Sequence, residues 1–207
     1  MEQQFQSETG QTGMPEDPPS KEKNEALEWL KAIVIAVVLV LLIRWLLFAP
    51  FIVDGESMQP NFQTSERIIV NKILYDIRAP KHGEVVVFHV PSQGRDFIKR
   101  VIGIPGDTVQ IEGDTVMVNG EVVDETYIKD VVNEKHNNNQ LYNTEGNFPN
   151  EFVQESTVPA GHIFVLGDNR SNSTDSRRIG FVPYEDVIGR AELVFWPLPD
   201  IKMIKHK

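Results

Sequence analysis

The stretch "AIVIAVVLVLLIRWLLF", Ala32 to Phe48, is apolar except for Arg44. With Leu30 and Ala49 it approaches the roughly 20 residues a helix needs to cross a hydrocarbon core. A helix buried in a soluble core seldom stays apolar on every side for this long. Trp29 and Trp45 lie toward its two ends, where aromatic belts sit, and Arg44 is near enough to one end to snorkel. A cleaved secretory leader fits poorly. The polar region before the run is too long, and the run exceeds the roughly 7–15 apolar residues of a leader's central region. The expectation is an uncleaved transmembrane anchor over residues 29–49. Lys21, Lys23 and Lys31 precede it, and the next cation beyond its end is Arg67. Positive residues stay inside, which puts the N-terminus in the cytoplasm and the C-terminal bulk outside.

Residues 1–28 are polar and acidic and read as a disordered cytoplasmic tail. Beyond Pro50 the pattern turns to β. "RIIVNKI", "EVVVFHV", "DFIKRVIG", "DTVQIEGDTVMVNGEVV", "HIFVLGD" and "VIGRAELVFW" are short β-branched or aromatic runs broken by Gly, Pro, Asn and Asp. Tight hairpins are predicted at Gly113-Asp114 and Asn119-Gly120. The only helical turn expected in this region lies near Pro183 to Val187. Residues 50–207 thus read as one mostly β domain, with Asn-rich 133–150 as an exposed loop or flap.

The chain has 207 residues and a formal net charge of −10, which excludes the basic footprint of a nucleic-acid binder. It has no cysteine, so disulfides, thiol catalysis and cysteine metal sites are out. Its five histidines are scattered, and no metal or other cofactor is expected. His162 offers a weak route to a Ser-His-Asp triad. No G-x-S-x-G surrounds Ser57, however.

Three stretches carry candidate chemistry. In "FIVDGESMQPNF" one hydroxyl, Ser57, is crowded by Asp54, Gly55, Glu56 and Pro60. In "DFIKRVIG", read as a strand, Phe97, Lys99 and Val101 share one face and Ile98, Arg100 and Ile102 the other. Two readings fit. Lys99 and Arg100 belong to an edge strand and reach water, or both are buried. In the second case Arg100 needs an acidic partner, and Lys99 becomes a neutral amine because desolvation lowers its pKa. "GDNRSNSTDSR", Gly167 to Arg177, follows an apolar strand and is dense in hydroxyls and carboxylates. That composition suits a solvated turn or a site.

An apolar anchor, then "SMQP", "KRVIGIPGD" and "GDNRSNSTDSR", in that order, resembles bacterial type I signal peptidase in its Gram-positive form. The resemblance runs from the anchor to about Val194. It implies a compact antiparallel β catalytic domain behind one transmembrane helix. The implied enzyme is a serine endopeptidase that cleaves signal peptides from secreted precursors after Ala-x-Ala-type sites. Its partners would be those precursors, the lipid bilayer and the secretion machinery. By position, Ser57 would be the nucleophile, Lys99 the general base, and Ser173 the hydroxyl that hydrogen-bonds the lysine. Asp175 with Arg177, and Asp168 with Arg100, would be supporting pairs. Ile52, Met58, Phe97 and Ile98 would line shallow substrate pockets. The strands near Phe51–Gly55 and Asp96–Ile98 are the edges expected to pair with substrate. Gly55 replaces a hydroxyl that some relatives use toward the oxyanion, and Asn61 stands where a threonine or serine is usual.

Two rivals remain. A repressor-type Ser/Lys autoprotease shares the dyad but carries a DNA-binding domain and no anchor. An anchored, non-catalytic β domain binding extracellular ligands would have no use for the dyad.

Overall fold

The computed structural model describes residues 25–206, with side chains omitted for 42–48. The expected tail over 1–24 and the placement of Arg44 and Trp45 lie outside the described residues. Helix α1 spans Glu25–Leu47, so Glu25 to Glu28, assigned above to the tail, are helical. Over 25–41 its side chains are exposed. Among the described residues no helix is long and apolar enough to cross a membrane.

The rest of the chain is built on antiparallel strands. They are β1 (Phe48–Ile52), β2 (Arg67–Asn71), β3 (Val85–Val90), β4 (Arg95–Gly103), β5 (Val109–Glu112), β6 (Thr115–Val118), β7 (Glu121–Val122), β8 (His162–Leu166), β9 (Val182–Pro183), β10 (Val187–Trp196) and β11 (Lys202–Met203). The main sheet runs β1-β2-β10-β3-β4-β8-β9, with β11 added to β10. A small sheet, β5-β6-β7, turns at the two predicted hairpins. At the second turn Asn119 and Gly120 have φ of 55° and 80°, the left-handed pair that a two-residue hairpin with matched twist requires. The turn expected at Pro183 to Val187 is a 3-10 turn over Tyr184–Asp186.

β1 begins at Phe48 and takes in two residues assigned above to the anchor. It pairs with β2 on one side only, so Pro50, which has no N–H to give, sits on an edge strand. Besides the single-turn helix α2, Leu74–Ile77, a second difference is helix α3, Lys129–Asn137, inside the region read as β and loop. It buries no residue, so its sequence carries no apolar stripe to betray it. The stretch 133–150, read above as an exposed loop or flap, is largely exposed but anchored at three residues. Tyr142, Asn143 and Phe148 are buried, and Ile111 bridges to Phe148.

Three apolar clusters hold the domain together. One lies between β1, β2, β3 and β10 and contains Met58, Phe62, Ile68, Val70 and Val85. Another packs Val109, Ile111 and Val116 of the small sheet against Phe148, Phe164 and Leu166. The third gathers Phe88, Val101 and Val165 on the other face of the main sheet. Strand β4 therefore has apolar packing on both faces from Lys99 onward, and its burial rises along its length.

Candidate active site

β4 supplies two cations to two different buried environments. Arg100 points to one side and meets Asp168, two residues beyond β8, in a two-pronged pair of 2.8 and 2.7 Å. Its remaining nitrogen donates to the carbonyls of Gly83 and Lys205, and its guanidinium lies 3.9 Å from the centre of the Tyr127 ring. Both partners are buried, the condition under which arginine demands a matched acid.

Lys99 points to the other side and is only 3% exposed. Its Nζ is 2.7 Å from Ser57 Oγ and 2.9 Å from the Ile98 carbonyl oxygen, and it lies 5.0 Å from the centre of the Phe97 ring. Burial disfavours the ammonium and lowers the Lys99 pKa to about 8, against the opposing pull of Asp175 and Asp168; Arg95 and Arg177 add to the lowering. Of the two readings open from the sequence, the buried lysine is the one the fold adopts. A neutral amine within hydrogen-bond distance of a hydroxyl can accept its proton.

The loop after β8 closes over this pair. The Asp168 carboxylate also accepts from Asn61 Nδ2 at 2.8 Å, and the same amide donates to the Tyr127 carbonyl at 3.0 Å. Asn61 thus ties the segment carrying Ser57 to the Arg100–Asp168 pair. Asn169 N–H donates to the Ser57 carbonyl at 3.0 Å. Asp175 takes two 2.8 Å bonds from Arg177 and one of 3.0 Å from Gly167 N–H. Its burial would raise its pKa, but the Arg177 guanidinium and these N–H donors hold it below the usual carboxylate range.

A cleft of about 510 Å³ opens beside Ser57 and Lys99. Its walls include Ile52, Gly55, Phe97 and Ile98, along with Val87, Asn172 and Thr174. Backbone edges are available on both sides. β1 is the last strand of its sheet, and β4 pairs with β8 only from Arg100 on, leaving Arg95 to Lys99 open on that flank. The Ser57 N–H takes part in none of the described hydrogen bonds. Gly55 has φ of +96° with open space where a Cβ would stand.

Residues 26–196 match the family "Signal peptidase, peptidase S26". The chain belongs to that family. It is 40% identical over 190 residues to "Signal peptidase I P" of Bacillus subtilis subsp. natto, covering 91% of this chain and 99% of that one. It is 38% identical over 185 residues to "Signal peptidase IB" of Staphylococcus aureus strain Mu50, covering 87% and 94%. A crystal structure of a signal peptidase I from Enterococcus faecalis V583 aligns with a TM-score of 0.49 and 37% identity, over 55% of this chain and 97% of that one. Family membership makes this a hydrolase of the serine endopeptidase type, and signal-peptide cleavage is the activity its relatives are named for.

Most residues singled out from the sequence gather within the site, but two sit differently. Met58 is 1% exposed in the main-sheet core and does not line the cleft. An unbranched apolar side chain adjoining Ser57 is drawn under the sheet, where Phe62 and Ile68 receive it. Ser173 is buried beside Gly167, but its Oγ makes no hydrogen bond to Lys99. His162 bonds the nearby Ala160 carbonyl, so the group facing Ser57 is the lysine.

Sequence reasoning passed over Gly167, Asn143, Arg170 and Glu125. A Cβ on Gly167 would stand 2.5 Å from the Ser57 carbonyl oxygen. Arg170 is buried and paired with Glu125, which also accepts from Tyr127 Oη. The local sequence marks neither contact, because both partners lie far along the chain.

Proposed function

We propose that this chain is a membrane-anchored serine endopeptidase that removes signal peptides from secreted precursors, with Ser57 as nucleophile and Lys99 as general base. The observation that carries the reading is the 2.7 Å contact between a buried lysine amine and the Ser57 hydroxyl at the wall of an open cleft. With its pKa near 8, about a tenth of Lys99 is neutral at pH 7 and ready to act as a base.

An extended precursor segment laid along the cleft pairs with the free edges at β1 and at Arg95–Ile98. Ile52, Phe97 and Ile98 bound shallow pockets that admit alanine one and three residues before the cut. Ser57 Oγ attacks the scissile carbonyl as its proton passes to Lys99 Nζ. The Ser57 N–H, which takes part in none of the described hydrogen bonds, would receive the oxyanion, with Gly55 offering no side-chain donor; such a donor is typically worth about 3 kcal/mol. Collapse of the intermediate expels the amine of the mature protein, which takes the proton from Lys99. The acyl-serine remains until water attacks it, with Lys99 again taking a proton and returning it to Ser57. Ser173 would orient the amine after a rotation of its hydroxyl away from the Asp175 carboxylate, which it helps to keep ionised.

The expected anchor over residues 29–49 belongs to this reading. The apolar residues of α1 from Ala32 to Leu41 are exposed, and that surface calls for an apolar surrounding. Single-pass insertion with a cytoplasmic N-terminus places the β domain on the outer face, where precursors emerge from the secretion machinery. Protease added to intact cells should then digest the β domain and spare an N-terminal tag; the reverse pattern sinks this topology.

The decisive assay uses the full chain in detergent with a precursor carrying an Ala-x-Ala site. Cleavage is expected, and Ser57→Ala and Lys99→Ala should each abolish it. Persistence of cleavage in either variant removes the dyad.

A further inference from the structure

We propose that Tyr142 and Asn143, in the segment following α3, form a clamp that positions the 167–177 loop, Asn143 acting through Arg177. The proposal deepens the dyad reading above and rests on it. Asn143 is buried, and every hydrogen-bonding position of its amide is taken. Its Oδ1 accepts from Arg177 Nη1 at 2.8 Å and from Glu145 N–H at 3.2 Å. Its Nδ2 donates to the carbonyls of Gly113 at 2.7 Å and Gly146 at 3.0 Å. A flipped amide would set N–H against guanidinium N–H, so the network allows one orientation.

Asp114, in the β5–β6 turn, holds the clamp from behind. Its two oxygens accept from the N–H groups of Tyr142 at 2.9 Å and Asn143 at 2.6 Å, and it also meets His136 of α3 at 2.6 Å. On the other side the clamp grips the loop at three places. Tyr142 Oη donates to the Asp168 carbonyl at 3.0 Å, the Tyr142 carbonyl accepts from Ser171 Oγ, and Asn143 holds Arg177. The small sheet is thereby joined to the loop that carries Asp168 and Asp175.

Arg177 is the point at which this matters for Lys99. Three of its bonds go to Asp175 and Arg170, and the fourth, to Asn143, comes from outside the loop. The charged groups that act on the Lys99 amine are Asp175, Asp168, Arg95 and Arg177. The nearby Arg178–Glu145 and Arg170–Glu125 pairs neutralise themselves. If Arg177 is released from Asp175, that carboxylate is less balanced and favours the lysinium, so the base is harder to obtain at a given pH. A loosened loop also misplaces the amine, and a displacement on the order of 1 Å is worth up to about a hundredfold in rate.

The test compares full-length protein in detergent, Asn143→Ala, Tyr142→Phe and a control, Val116→Ala. The control loosens a core that the small sheet shares with Phe164 and leaves the clamp bonds in place. Asn143→Ala should lower kcat about tenfold with KM nearly unchanged and move the acid limb of the pH–rate profile upward. Tyr142→Phe, which loses the Oη bond to the Asp168 carbonyl and the longer one to the Gln59 carbonyl, should lower kcat a fewfold. Val116→Ala should lower the melting temperature and leave the pH limb in place. An Asn143→Ala protein with the parent's kcat and pH limb overturns the proposal. If that variant does not fold, Tyr142→Phe decides alone, and an unchanged kcat overturns it. Ser57→Ala runs alongside: if it still cleaves, the dyad itself has failed, which is a separate result.

Discussion

Gly167 and Ser57 approach so closely that no other residue type fits at 167. A Cβ there would stand 2.5 Å from the Ser57 carbonyl oxygen and 2.2 Å from Ser173 Oγ. Gly167→Ala should push the Ser57 segment away from β4 and break the 2.7 Å contact with Lys99. Cleavage is expected to fall about a hundredfold. A variant with full activity would show that the nucleophile tolerates displacement.

The pH dependence follows from Lys99. The base is the neutral amine, so kcat/KM should rise with pH through about 8 and level off above it. A profile flat from pH 6 to pH 9 would rule out a lysine base of this kind.

Lys99 also costs stability. Its folded pKa is depressed, so between about 8 and the unfolded value near 10.4 the unfolded chain binds the extra proton and stability rises with pH. Below about 8 the full penalty is present, on the order of 3 kcal/mol for a shift of this size. Lys99→Met should therefore melt at a higher temperature than the parent at pH 7 while cleaving nothing. A lower melting temperature would mean the ammonium is better solvated than its burial implies.

Breaking the Arg100–Asp168 pair leaves a charge without its match. Asp168→Ala should cost about 3–5 kcal/mol in denaturant unfolding. It also strips Asn61 of one acceptor and loosens the tie to the Ser57 segment. Replacing both partners, as in Arg100→Met with Asp168→Leu, should recover part of the stability but not the activity. A single substitution that leaves the unfolding midpoint unchanged would contradict this.

Trp196 and Leu198 form an exposed apolar patch at the end of β10, and its role at a lipid surface is open to test. Trp196 is 45% exposed and Leu198 65% exposed. A protein of residues 48–207 should bind liposomes less after Trp196→Ala with Leu198→Ala. Unchanged binding would remove the patch from any lipid role.

Where local physics decides, the sequence was sufficient. The short β-branched and aromatic runs "EVVVFHV" and "DFIKRVIG" announce β3 and β4, and Asn119-Gly120 announces a hairpin because few other dipeptides accept left-handed φ. The order of "SMQP", "KRVIGIPGD" and "GDNRSNSTDSR" was enough to name the family and nominate Ser57 and Lys99. α3 escaped because it buries nothing, and Met58 was misplaced because adjacency in sequence does not say which way a side chain turns.

Only the tertiary structure decided whether Lys99 is dry, since its burial comes from segments far along the chain that pack over β4. The same holds for Asn61 against Asp168, 107 positions away, and for Asn143 against Arg177, 34 positions away. A residue's type shows which bonds it can make. Which partner arrives to make them depends on chain closure over long separations, where no local pattern records the outcome.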